Sequence, residues 1–305
     1  MEKFTSTGLV GLLVRKLENV DPTLVAGVVK PDPMKRAIEP DNLKRKLIEA
    51  TMTKHGAGLL LSVGQDIPVS DDVPAMAILT CSRDPAVLAE KWMRLERHHH
   101  ASHRTLIETE RPNRFSCLRT SNSSPATLGE NCLIAGLLLG LVGLIGIDDA
   151  YIKCGKRIIY PTDLPNLRLG PDETFEDFSI IWSRSKGVAS DAQIKAENIP
   201  ADVTLVEILT DLLSDDIGRS WKICDAAYVL GFSKRSMQRS LSAQGRSFSS
   251  ILRRARMREA TRLLALDNVS LSEVSYCCGY ADQAHFQRDF VRATNITPRV
   301  FRGLM

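Results

Sequence analysis

The sequence contains no Cys-x-x-C pair, although it has seven cysteines, Cys81, Cys117, Cys132, Cys154, Cys224, Cys277 and Cys278. Their number is odd and the chain does not look small and secreted, which argues against a disulfide scaffold and for reduced thiols in a cytosol. No G-x-S-x-G, H-E-x-x-H or P-loop pattern occurs, so the usual sequence signatures of a serine hydrolase, a zinc protease and a nucleotide-hydrolysing loop are missing. The N-terminus lacks a charged segment followed by an apolar run and a small-residue cleavage site, so no signal peptide is expected. There is no solenoid repeat and no low-complexity tract. Long apolar runs are missing too. Residues 132–147 are sixteen positions without a charge, short of the roughly 20 that a spanning helix needs. Acids flank them, Glu130 on one side and Asp148-Asp149 on the other, where a membrane span would favour Lys or Arg. A buried core helix is the expectation, and no membrane partner. Gly136, Gly140, Gly143 and Gly146 would let it approach another helix closely, in the core or at a dimer interface.

What is present is an ordinary globular composition, 44% apolar and 25% charged over 305 residues, enough for two domains. The net charge of +4 is unevenly spread. From Trp221 to Met305 there are fourteen Lys and Arg against six Asp and Glu, a net of +8, which leaves −4 for the first 220 residues. A basic module joined to a mildly acidic one points to a polyanion as partner of the C-terminal part alone.

Periodicity divides the chain in the same place. Residues 41–62 have Leu43, Leu47, Ile48 and Met52 on one helical face. Asp84 and Pro85 read as N-cap and first residue of a helix that runs through Val87, Leu88, Trp92 and Leu95. Residues 104–119 alternate like strands, a turn follows at 121–125, and 158–160 and 175–182 read as short strands. The polar stretch 184–200 has no persistent apolar face. The expected organisation is an α+β effector or dimerisation domain over 1–183, a linker over 184–200, and an all-α domain over 201–305 with two helix-turn-helix units joined by a long helix.

The C-terminal units are read from their punctuation. Residues 223–230 form a first helix, Gly231 suits the left-handed position after it, and Ser233 suits the N-cap of the next. On that next helix Met237 and Leu241 face inward, while Lys234, Arg235, Gln238 and Arg239 point elsewhere. Arg and Gln are the residue types that make paired hydrogen bonds to guanine and adenine edges. Ser247 caps a long helix over 248–266 with an apolar stripe from Phe248 to Leu264 and Arg253, Arg254, Arg256, Arg258 and Arg262 on its other faces. At about 1.5 Å per residue it spans roughly 28 Å, near the roughly 34 Å of one DNA turn. Ser270 to Glu273 reads as a capping box that opens the second unit. Its second helix, 281–293, turns Phe286 and Phe290 inward and leaves Gln283, His285, Gln287 and Arg288 outward.

At these positions the sequence resembles the AraC/XylS family of transcription regulators. The first-unit pattern L-G-x-S-x-R-x-L-Q-R-x-L stands here as Leu230, Gly231, Ser233, Arg235, Met237, Gln238, Arg239 and Leu241, followed by Gly245, Ser247 and Phe248. The second-unit pattern stands as Ser270, Leu271, Glu273, Val274, Gly279, Tyr280, Phe286, Arg288, Phe290, Thr297, Pro298, Phe301 and Arg302. The match covers about 100 residues. Three positions depart from it: Ser275 replaces the usual Ala, Asn295 the usual Gly, and His285 is an unusual groove-facing side chain. The N-terminal part resembles more weakly the ornithine-utilisation-regulator type of effector domain, by arrangement and length rather than by a motif. The resemblance implies a cytoplasmic DNA-binding regulator that contacts RNA polymerase and activates transcription, with an N-terminal domain that senses a small-molecule effector, forms a homodimer, or does both. A repressor, or a regulator independent of any effector, is the alternative. No cofactor is implied.

Rival readings rest on a few side chains. His98, His99, His100 and His103 hold four of the six histidines, with His99 and His103 one helical turn apart as a metal pair; a solvated helix end is the plainer reading, and no metal site is assigned. Cys277 and Cys278 are adjacent on a helix, where an unstrained disulfide does not close, so they read as core. The family's DNA-binding domain is sometimes fused to an alkyl-accepting cysteine module, but Cys81, Cys117, Cys132 and Cys154 sit in apolar or strand-like contexts with no neighbouring His. No enzyme activity is expected.

Overall fold

The computed structural model describes residues 4–30, 38–67, 74–82, 84–98, 103–121, 124–170, 173–183, 204–266 and 269–305. The expected linker 184–200 lies outside them, as do His99 and His100. The chain forms two compact units, Met1–Lys186 and Gly187–Met305.

The first unit is α+β. Strands β1 (Phe4–Ser6) and β2 (Ile38–Pro40) pair antiparallel. Helix α1 (Thr7–Val20) buries Val10, Leu13, Val14 and Leu17, a spacing of 3, 4 and 7 that the sequence carries in full. The single helix expected over 41–62 is divided. Helix α2 (Asp41–Lys54) ends before Gly56, whose φ of +75° no continuing α-helix admits. Helix α3 (Ala57–Leu61) and a 3₁₀ turn (Ser62–Asp66) follow. Helices α4 (Pro74–Thr80) and α5 (Pro85–His98) come next. Asp84 caps α5 as expected, its carboxylate accepting the Ala86 N–H at 2.6 Å.

Strands β3 (His103–Glu108), β4 (Arg114–Ser121), β5 (Tyr151–Cys154), β6 (Arg157–Ile159) and β7 (Asp177–Ile181) make one antiparallel sheet in the order β3-β4-β7-β5-β6. Period-2 alternation turns Ile107, Phe115, Cys117, Ile152, Phe178 and Ile180 into the core. Helix α6 (Leu128–Leu144) belongs to the same core. A reciprocal Thr127–Glu130 capping box starts it, four residues before the charge-free run. Two of the four glycines singled out above are used inside the domain. A Cβ on Gly136 would overlap the Leu61 carbonyl, and one on Gly140 the Gly64 carbonyl. Side chains there would push α6 off the end of α3 and the 3₁₀ turn, so these two glycines serve internal packing, not a dimer contact.

One buried charge pair joins helix and sheet. Arg119 on β4 meets Glu96 on α5 at 3.1 Å, and Glu96 also accepts from the Thr105 N–H and hydroxyl. Burial pushes the Glu96 carboxyl up; Arg119 and Thr105 oppose that.

Of the expected His99–His103 pair, His99 lies outside the described residues. Helix α5 stops at His98 and His103 opens β3, so His103 is not on that helix at all. The rings of His98 and His103 hydrogen-bond backbone carbonyls, His98 Nδ1 with Arg94 O at 3.0 Å and His103 Nε2 with Ser124 O at 2.9 Å. Among the described residues no group of three His, Cys, Asp or Glu could hold a metal ion. Cys117 and Cys132 are buried, and burial drives both thiols well above their usual range. Cys81 differs from expectation in being exposed. Among the described residues no helix is long and apolar enough to cross a membrane.

The second unit is helical: α7 (Leu205–Asp215), α8 (Ile223–Val229), α9 (Lys234–Ala243), α10 (Phe248–Leu264), α11 (Leu271–Cys277), α12 (Gln283–Thr294) and α13 (Pro298–Arg302). Helix α7 opens on a Thr204–Glu207 capping box and buries Leu205, Leu209 and Leu213; the same 4-residue spacing was there to be read. Helix α10 is two residues shorter than expected, about 25 Å at 1.5 Å per residue. Cys277 and Cys278 are buried in this core, as expected.

Candidate nucleic-acid interface

Two helix pairs, α8–α9 and α11–α12, end their first helix by the same device. After α8 the Phe232 N–H donates to Ala227 O at 2.8 Å and the Gly231 N–H to Tyr228 O at 3.2 Å. After α11 the Tyr280 N–H donates to Ser275 O at 3.1 Å and the Gly279 N–H to Tyr276 O at 2.9 Å. Both are Schellman motifs, and both need the left-handed residue that Gly231 (φ +70°) and Gly279 (φ +73°) supply. The next helix is then capped at once. Ser233 Oγ accepts the Ser236 N–H at 3.0 Å, and Asp282 Oδ1 accepts the His285 N–H at 2.7 Å.

The two departures that bear on this geometry are accommodated. Ser275 is fully buried, and its hydroxyl donates to the carbonyl of Asp282 at 2.9 Å, so the polar atom at the α11–α12 crossing has a partner. Asn295 ends α12 in the left-handed conformation at φ +60°, which Asn tolerates better than other side chains with a Cβ.

On α9 the polar residues converge. Met237 and Leu241 are buried, and Lys234, Arg235, Gln238 and Arg239 are exposed. At about 100° per residue, Arg235, Gln238 and Arg239 occupy an arc of about 100° on the side away from Met237 and Leu241. Ser242, also exposed, lies within it and was not picked out from the sequence. Lys234 and Arg235 sit in the first turn of α9, where the helix dipole disfavours cations and no acid balances them. Their placement does not serve the helix; an anion outside it would be stabilised by both.

On α12 the expected residues are more dispersed. Phe286 and Phe290 are buried. Arg288 lies near the middle of the exposed face, with Ala284 beside it. Gln283 and Gln287 are half-buried on one flank, and His285 is on the other. The His285 ring stands edge-on to Tyr280 at 5.2 Å, so part of it packs against the domain. Gln283, Gln287 and Arg288 line a concavity of about 820 Å³ together with Arg292 and Arg299. Those two arginines were missed, although Arg292 follows Arg288 by one turn.

Three of the five arginines on α10 are engaged within the unit. Arg253 pairs with Asp289 at 3.0 Å, Arg262 with Glu259 at 2.7 Å, and the Arg256 guanidinium lies 5.0 Å from the Tyr280 ring centre. Arg254 and Arg258 are exposed and form no ion pair among the described residues.

Residues 226–303 match a family model described as a helix-turn-helix domain. The transcriptional regulator SirC of Salmonella typhimurium is 28% identical over 162 residues, 53% of this chain and 55% of SirC. The urease operon transcriptional activator of Escherichia coli is 31% identical over 96 residues, 32% of each chain. The HTH-type transcriptional activator CsvR of Escherichia coli is 23% identical over 185 residues, 57% of this chain and 69% of CsvR. The matched region thus spans about half the length of SirC.

Proposed function

We propose that this chain, which belongs to the AraC/XylS family, is a cytoplasmic transcription regulator that reads duplex DNA with α9 and α12. The observation that carries the reading is the exposed cluster of Arg235, Gln238 and Arg239 on the capped helix α9, opposite its buried Met237 and Leu241. Guanidinium and carboxamide groups so presented fit the donor and acceptor patterns of base edges in the major groove. In this reading α8–α9 and α11–α12 are two helix-turn-helix units, Ser233 and Lys234 approach the DNA at the start of α9, and Gln283, His285, Gln287 and Arg288 form the second reading head. The net +8 after Trp221 adds salt-dependent attraction to phosphate. Residues 1–183 sense a small molecule, form a homodimer, or do both, and 184–200 links them to the DNA-binding domain. Two relatives, the urease operon transcriptional activator and CsvR, are activators by name, which favours activation through RNA polymerase, without enzyme activity of the chain's own.

Selection of bound duplexes from a random pool, with full-length protein at fixed salt, tests this. Enrichment of a bipartite motif with elements about ten base pairs apart is expected. Uniformly salt-sensitive binding with no enriched motif would reduce the claim to non-specific DNA binding.

A further inference from the structure

The sheet of the N-terminal domain has one face in the core and one face open, and the open face is not uniformly polar. Register places Ser116 on β4 opposite Ser179 on β7, and Ser179 opposite Lys153 on β5. These three form a row across the middle of the sheet on the face away from Phe115, Phe178 and Ile152. Arg114, two residues before Ser116 on the same face, lies across that row: its Nη2 donates to Ser179 Oγ at 2.7 Å. Ser179 is only 3% exposed although it sits on the open face. The Arg114 Nε–H is buried and has no hydrogen-bond partner, a state that costs stability wherever it is left so. Lys153 and Lys156 form no ion pair among the described residues, whereas Arg157 is neutralised by Glu173 at 2.6 Å. Arg114, Lys153, Lys156, Arg157 and Ser179 line one open groove of about 1010 Å³, together with Glu173, Glu176 and Asp177.

From this we infer that the groove binds the oxyanion group, carboxylate or phosphate, of a small metabolite. One oxygen accepts from the Arg114 guanidinium where it lines the groove, and the charge is shared with Lys153. A guanidinium held in place by Ser179 binds an oxyanion with little loss of side-chain freedom. Glu176 and Asp177 also line the groove and disfavour a second negative charge on the ligand. The inference rests on reading residues 1–183 as a sensing domain and gives that domain its site and the chemical class of its ligand.

The test is calorimetric titration of the full-length chain at low ionic strength with two probes, inorganic phosphate and acetate. The basic C-terminal domain also attracts anions, so the comparison is between variants. Lys153→Gln, at an exposed position, should keep the wild-type melting temperature and weaken one class of sites at least tenfold. Arg239→Gln should leave that class intact. Preference for one probe identifies the oxyanion as phosphate or carboxylate. Equal binding of both probes by wild type and Lys153→Gln would overturn the site without touching the sensing reading. Conversely, anion binding that needs Lys153 but leaves DNA affinity unchanged keeps the site and removes the sensing reading.

Discussion

Arg253 on the long helix α10 pairs with Asp289 on α12 at 3.0 Å, and the same carboxylate accepts the Tyr280 hydroxyl at 3.0 Å. One largely buried acid therefore holds the second candidate reading helix against both the rod and the turn that precedes it. Arg253 is nearly half exposed, so its charge is screened and contributes little. The hydrogen bond from the buried phenol is the stronger tie, because a hydrogen bond to a charged acceptor is worth about 1.5–3 kcal/mol.

Tyr280→Phe is therefore expected to lower stability by about 1.5–3 kcal/mol, read from urea unfolding at neutral pH. It should also change the alkaline limb. Burial, reinforced by the Asp289 charge and hydrogen bond, holds the Tyr280 phenol well above the usual tyrosine range. A group with a raised folded-state pKa stabilises fully below its unfolded pKa, about 10, and loses that contribution as pH rises further. The wild type should lose stability above about pH 10 more steeply than Tyr280→Phe. Identical alkaline slopes would contradict the assignment.

Two glycines on α6 separate a packing role from a helix-propensity cost. Gly136→Ala places a methyl into the Leu61 carbonyl and should destabilise by at least about 1–3 kcal/mol. Gly143→Ala meets nothing within 4 Å and should stabilise by about 0.4–1 kcal/mol. Thermal melts of the two variants, run side by side, decide it: a shift of the same sign in both would remove the close-approach argument.

Asn295 offers a similar contrast through backbone conformation alone. Its φ of +60° costs a side chain with a Cβ about 1–2 kcal/mol, and Asn partly escapes that cost through local hydrogen bonding. Asn295→Gly should leave stability equal or slightly higher, and Asn295→Ala should lower it by about 1 kcal/mol. Denaturant midpoints compared at a common slope would reveal either ordering.

In the proposed reading the exposed Arg235, Gln238 and Arg239 cluster on α9, so substitutions there should matter more for DNA affinity than on α12. Gln238→Ala and Arg239→Ala are each expected to cost about 1–3 kcal/mol at the selected site and to relax preference at the bases they face. Gln283→Ala, half-buried at the flank of α12, should cost less than either. Fluorescence anisotropy at one stated salt concentration measures all three; unchanged affinity in both α9 variants would refute the groove assignment.

Where local chemistry decides the outcome, the sequence alone determined it. The two turns at Gly231 and Gly279, the caps at Asp84, Ser233 and Ser247, and the inward Met237, Leu241, Phe286 and Phe290 are short-range requirements of backbone conformation and amphipathic period. Each was legible from residues within one helical turn. Tertiary structure decided what depends on partners distant in the chain. It joined Arg253 and Tyr280 to Asp289, set Gly136 against Leu61 and Gly140 against Gly64, and placed His98 on a helix and His103 on a strand. It also brought Arg114, Ser179 and Lys153 together from three strands. No periodicity encodes those meetings, because register across a sheet and the approach of two helices are set by the whole packed core.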